Sequence, residues 1–225
     1  HLGWESCVTH YPLIITPQRA PEIYFGASAH SSTNTSTFSF TSLDFNIDNP
    51  ERLVVVAVNY YEFDTSASVT SITVGGVTPT LVTSGFRAVT GGSGSFVYSR
   101  LYQVQPTGTS GTVALTFNRS IDLGCSVGVW SAYYLNSTTA VSTATANDSV
   151  NLTVQPGDAV IATASGVYDA TGTTWTNATE NYDTSSNRMT RSGASVLSST
   201  NGTLNIAASC NIAFGGVIVS GAAWR

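Results

Sequence analysis

The chain has 225 residues, 42% of them apolar, with 8 basic and 13 acidic side chains and a net charge of −5; every base is arginine. Its 9% charged fraction lies far below the roughly 25% usual for soluble domains, yet the longest apolar run, Leu53–Val58, falls well short of the roughly 20 residues of a membrane-spanning helix. Plentiful aromatic and β-branched residues exclude disorder, and the lack of any basic cluster argues against both nucleic acid and membrane as partners.

Residues 1–30 hold His1, His10 and His30, Trp4, Pro17, Pro21 and the apolar stretch Pro12–Ile15, without sustained alternation. They read as an extended attachment arm in which Tyr11, Leu13, Ile14 and Ile15 are the assembly residues, able to join a neighbour by strand addition. A start at His1 rather than Met reads as a processed, trimmed or fragmentary terminus.

From Thr33 a period of two takes over. Phe38 and Phe40 share one face, and Leu43, Phe45 and Ile47 resume on the opposite parity, which predicts a bulge near Thr41. Asn49-Pro50 marks a turn, and Leu53–Val58 is a strand buried on both faces. Ile72 and Val74 lead into Gly75-Gly76, read as a two-residue hairpin turn. After the loop Pro106–Gly111, Val113, Leu115 and Phe117 give the cleanest alternation in the chain.

The second half repeats this plan. Val150, Leu152 and Val154 run into the turn Gln155–Asp158, followed by the buried strand Ala159–Ala164. An internal duplication over residues 37–135 and 149–224 is expected, within one domain over 31–225. With no helical periodicity anywhere, the predicted class is all-β: an antiparallel β-sandwich of jelly-roll or immunoglobulin-like type, built as two duplicated half-sandwiches.

Groups that could do chemistry are few. There is no nucleophile elbow, P-loop, H-E-x-x-H or C-x-x-C, and all three histidines precede residue 31, so no serine has a plausible base. A β-sandwich opening on His1 resembles copper monooxygenases that brace the metal with the terminal amine and two imidazoles. Those enzymes place the second histidine well downstream, and none follows His30. Asp44-x-Asn46-x-Asp48 echoes a calcium loop but lacks its glycine and reads as a strand with a polar outer face. Asp64 and Asp169, in matching loops of the repeat, read as turn residues. No metal, cofactor or enzymatic activity is therefore expected.

Aromatic rings are the better recognition candidates. Tyr60 and Tyr61 end one buried strand, Tyr168 takes the matching place in the second half, and Trp175 lies beyond it. Rings at loop ends stack on sugars, so these four form the candidate glycan site, against the alternative that they cap the core. Trp130 and Trp224, in apolar strands, read as core. Cys125 and Cys210 share parity with core residues and are either two buried thiols or a strand-linking disulfide; Cys7 is left over.

The segments Ser36–Phe45, Glu51–Glu62, Val69–Val82, Val97–Asn118 and Cys125–Leu135 together resemble a group of β-sandwich proteins of tailed bacteriophages and prophages, with related bacterial surface modules. The similarity runs over Ser32–Arg225 and is most specific at Ser71–Val77 (S-x-T-V-G-G-V) and Pro106–Val113 (P-T-G-T-S-G-T-V). The resemblance implies a virion surface component, such as a head decoration, head fibre or tail accessory protein, and supplies no catalytic residues. The expected function is thus a structural virion protein, extracellular and homo-oligomeric, held to capsid or tail proteins through residues 1–30. A carbohydrate-binding adhesin meeting a host-surface glycan, or a filament subunit donating Tyr11–Thr16 to its neighbour, are the alternatives.

Overall fold

The computed structural model describes residues 19–63, 66–89, 94–167, 172–186, 188–210 and 216–225. Tyr11, Leu13, Ile14 and Ile15 of the expected arm lie outside them, as do His1, Cys7, His10, Asp64, Tyr168 and Asp169. Among the described residues, sixteen strands follow in chain order. The first eight are β1 (Glu22–Ser31), β2 (Thr35–Asp44), β3 (Leu53–Glu62), β4 (Val69–Val74), β5 (Thr80–Ala88), β6 (Phe96–Val104), β7 (Ser110–Ile121) and β8 (Cys125–Tyr133). The second eight are β9 (Ser142–Asn147), β10 (Ser149–Val154), β11 (Ala159–Val167), β12 (Thr173–Thr176), β13 (Thr179–Ser186), β14 (Met189–Leu197), β15 (Gly202–Cys210) and β16 (Ile218–Trp224).

The first eight form a five-stranded sheet in the order β1-β8-β3-β6-β5 and a three-stranded sheet β2-β7-β4. The second eight form β9-β16-β11-β14-β13 and β10-β15-β12, which is the same order with eight added to every number. In each unit the first strand pairs with the eighth, the second with the seventh and the third with the sixth. That is the wrapped antiparallel pairing of a jelly roll, with the fifth strand moved beside the sixth. The repeating strands span 22–133 and 142–224, wider than the sequence boundaries because β1 and β9 belong to the sheets.

The two five-stranded sheets face each other, β5 against β9 and β16, β6 against β11 and β16, and β3 against β11. The molecule is therefore four layers deep, with three-stranded sheets outside and five-stranded sheets inside. This explains the unbroken apolar runs. One face of β3 (Val54, Val56, Val58, Tyr60) packs into its own sandwich, and the other (Leu53, Val55, Ala57) packs on β11 and β16. A strand covered on both sides has no reason to alternate. The core between the units also holds Trp130, Ala132, Ala222 and Trp224. Setting the turns at Pro50 and Pro156 in register makes Leu53 equivalent to Ala159. Their partners Ala132 and Trp224 then match, as do Trp130 and Ala222, so tryptophan and alanine exchange places between the units.

The arm gives way to the fold earlier than expected. Residues 22–31 are β1, paired along its length with β8, and a bulge between Phe25 and Ala27 breaks its parity. Gly26 makes that bulge possible, since a Cβ there would meet the Asp44 carbonyl at 2.1 Å. A similar slip lies between Phe40 and Leu43, where Ser42 has a φ of 57°. Gly75 and Gly76 adopt positive φ and close a Val74–Val77 bridge, but the chain then crosses from one sheet to the other, so β4 and β5 are not a hairpin. The segment Asp44–Asp48 is a turn rather than a strand. Asp44 accepts from the Asn46 amide at 2.7 Å, and Asp48 bonds Arg52 and the Gly108 amide. Neither carboxylate is presented as a calcium ligand set.

Arg52, 1% exposed, braces this end of the first unit. Its Nη1 donates to the carbonyls of Phe45 and Ile47 at 3.1 and 3.0 Å, and its Nη2 to those of Pro106 and Gly108 at 2.7 and 2.8 Å. The equivalent Asp158 is equally buried and receives both Nε and Nη2 of Arg225 at 2.9 Å.

Candidate functional site

The aromatic residues singled out in the sequence do not form a surface. Tyr60 is fully buried, stacked on Tyr98 with centroids 4.4 Å apart and edge-on to Phe117 at 4.9 Å. Burial pushes its phenol well above the ordinary range. Tyr61 is 1% exposed and packs between the units with Val97, Val167, Met189 and Ile218. The strand that was expected to end at Val58 continues to Glu62, which carries both rings inside. Trp175 on β12 leans on the second core and donates its indole N–H to Ser192 at 2.8 Å. Tyr168 lies outside the described residues. Of the three described rings, Tyr60 and Tyr61 are buried and Trp175 is partly exposed.

Nor are the cysteines bonded to each other. Both thiols are free; Cys125 belongs to the first core and Cys210 packs on the second. Burial raises them to about 12 and about 11, which leaves them protonated and unreactive at neutral pH. Parity placed each thiol inward but could not say that the halves have separate interiors.

What the fold does gather is one pole of the stack. The ends of β3, β5 and β7 point the same way as those of β11, β13 and β15, because Tyr61, Val89 and Leu123 meet Val167, Met189 and Ile218 in one cluster. The described turns at 32–34, 122–124 and 148 lie at this end. Phe63, 54% exposed, stands at this pole with its ring edge-on to Tyr61 at 5.1 Å. Arg87 reaches across to Asp148 at 2.9 Å and to the Val217 carbonyl at 3.1 Å, tying the two units.

Glu62 is the unusual group at this pole. It is 3% exposed; Oε1 accepts from the Phe63 amide at 3.0 Å, while Oε2 is buried with no hydrogen-bond donor among the described residues. The Asp122 carboxyl lies within hydrogen-bonding reach of Glu62, and Asp122 itself accepts from the Asn34 amide at 3.1 Å. Arg119 lies close enough to act on Glu62 and donates through Nη1 to Ser66 at 2.9 Å. Burial, with Asp122 beside it, pushes Glu62 up to about 7. Two adjacent carboxyls in a poorly hydrated corner can share a proton or hold a cation. Sequence reasoning missed the pair because Glu62 closes an apolar strand and Asp122 sits in a distant turn; an acid ending "VVVAVNYYE" was its only mark.

Among the described residues no group of three or more His, Cys, Asp or Glu converges. His30 is exposed on the edge strand β1. A cleft of about 420 Å³ lies elsewhere and is lined by Arg19, Glu51, Gln105 and Tyr134. Arg19 lies over the Tyr134 ring, 4.1 Å from its centroid, and pairs with Glu22 at 2.9 Å. Comparison with protein-family models, with curated proteins and with solved structures returned no match.

Proposed function

We propose that this chain is a structural, non-enzymatic component displayed on the surface of a tailed-phage virion, where it meets other virion proteins. The observation that carries the reading is the character of the two outer sheets. The outward face of β2-β7-β4 consists of Thr37, Ser39, Thr112, Ala114, Thr116, Ser71 and Thr73, and that of β10-β15-β12 presents Asn151, Thr153, Thr203, Asn205, Thr174 and Thr176. Neither set contains a charge; the exposed charges on these strands are Asp44, at the end of β2, and Arg119, near the end of β7. Such faces are hydrated yet electrically quiet, which suits a crowded particle exterior where like charges on neighbouring copies would repel.

The internal charges support the same reading. Arg52, Asp158 and Arg225 are spent on bracing loops, and Trp130, Trp224 and Asn59 bond across the units. A rigid stack of two jelly rolls, an architecture common in capsid and lectin domains, fits a spacer or decoration. Immunogold electron microscopy on the particle fraction of the source tests the proposal. Gold at regular positions on heads or tails supports it; label confined to cells or loose filaments overturns it. An adhesive role would rest on Phe63 at the loop-bearing pole, and loss of cell or glycan binding in Phe63→Ala with unchanged folding would reveal it.

A further inference from the structure

We infer that Arg191, Ser126 and Ser165 hold a small monovalent anion of the chloride kind in the seam between the two units. Arg191 is fully buried and reaches from β14 to the first unit, where Nη2 donates to the Leu123 carbonyl at 2.6 Å. Nη1 donates to Ser186 at 2.9 Å, and the Met189 sulfur lies 3.1 Å from Nη2. All three partners are neutral, whereas Arg52, Arg87 and Arg225 each meet a carboxylate. Among the described residues, the ionisable groups that act on Arg191 are the Cys125 thiol and the Tyr182 phenol, and burial keeps both protonated at neutral pH. Burial also lowers the guanidinium to about 10, which leaves it a cation. A charge taken out of water without a counter-charge is costly, and no described residue supplies one.

The other groups come from strands on both sides of the seam. Ser165 on β11 is the register partner of Arg191, so the two side chains leave the same face of their sheet. Ser126 on β8 is the register partner of Asn59, which crosses the seam to Thr163 at 2.7 Å. Ser126 also follows Cys125, whose thiol acts on Arg191. Arg191 Nε, Ser126 Oγ, Ser165 Oγ and Asn59 Oδ1 are four of the ten buried side-chain atoms without a hydrogen-bond partner among the described residues. Buried polar atoms are normally satisfied, so their gathering in one layer points to a ligand. Asn59 Oδ1 only accepts and stands outside the ion's shell. The other three can all donate, and an anion answers both the three donors and the charge; a water molecule answers only the donors. With Leu53 set equivalent to Ala159, the counterparts of Arg191 and Ser165 are Ser99 and Asn59, so the fold itself does not demand a cation at this level. The ion would join β8 of the first unit to β11 and β14 of the second.

The test is a series of thermal melts of the full chain at constant ionic strength, with sodium chloride replacing sodium gluconate. The wild-type midpoint should rise by roughly 3–8 °C up to about 200 mM chloride and level off as the site fills. R191M should lose that rise while melting no lower than the wild type does in gluconate, because it removes the unpaired charge along with the site. A second reading needs no variant: crystals grown in sodium bromide should show an anomalous peak beside Arg191 Nε, between β8 and β11. Equal wild-type midpoints in chloride and gluconate overturn the site. So does an equal rise in R191M, or bromide crystals without a peak at Arg191.

Discussion

Replacing Arg52 by methionine removes the brace between the loops at 45–48 and 106–108 and leaves the volume almost unchanged. In the native protein the guanidinium serves four carbonyls at 3.1 Å or closer. Two of them keep another partner, since Ser131 donates to the Phe45 carbonyl at 2.7 Å and Tyr133 to that of Ile47 at 2.8 Å. The Pro106 and Gly108 carbonyls do not, and each orphaned buried acceptor costs about 1–3 kcal/mol. Methionine needs no desolvation of a charge, which returns part of the loss. The expected net destabilisation is about 2–4 kcal/mol, or roughly 4–16 °C in Tm for a chain of this size. Arg52→Lys should lose a similar amount, because a point charge with three donors cannot span both carbonyl pairs. Urea unfolding of the full chain, followed by tryptophan fluorescence, measures it, with Arg19→Met as a surface control expected within about 0.5 kcal/mol of wild type. If Arg52→Met unfolds within about 1 kcal/mol of the wild type, the brace is not what holds Phe45–Asp48 to Pro106–Gly108.

Other outcomes follow from the same contacts. Tyr60→Ala should cost about 3–5 kcal/mol, because a ring stacked between Tyr98 and Phe117 leaves a cavity, and a melt will read it directly. Trp130→Phe and Trp224→Phe each remove one indole bond between the units, to Asn181 and Gln103; each should cost about 1–2 kcal/mol, near-additively in the double variant. In a Cys7→Ser background, Cys125 and Cys210 should resist alkylation at neutral pH until denaturant is added, and no disulfide should appear on non-reducing gels. Finally, stability should change with the charge on Glu62. Its folded value of about 7 lies above the ordinary 4.5, so the folded protein binds the extra proton. Stability should be greatest below this window and fall as pH rises through about 7; Glu62→Gln melts should be flat there.

The sequence made some of this legible and hid the rest for identifiable reasons. Val113, Leu115 and Phe117 alternate because β7 belongs to an outer sheet with one wet face, and the slip near Thr41 was visible as a change of parity. Leu53–Val58 and Ala159–Ala164 were readable as doubly covered strands, but nothing in them said that the second cover is the other unit. Glu22–Ser31 escaped detection because the bulge at Gly26 scrambles its period. Tyr60 and Tyr61 looked terminal because the strand continues in polar and aromatic residues, Asn59–Glu62, whose burial depends on the opposing sheet. The Glu62–Asp122 corner is a contact between remote turns, which composition and spacing do not encode.

The exchange of tryptophan and alanine between Trp130/Ala132 and Ala222/Trp224 has a consequence for how the halves recognise each other. They share one strand order but are not interchangeable. A symmetric pair of first units would double the bulk at the Trp130 level and set methyl group beside methyl group at the other; a pair of second units would do the reverse. Each half is thus keyed to its sibling rather than to itself. Were the chain severed between Tyr133 and Ser142, the pieces would be expected to find one another in a mixture and to reassociate poorly alone.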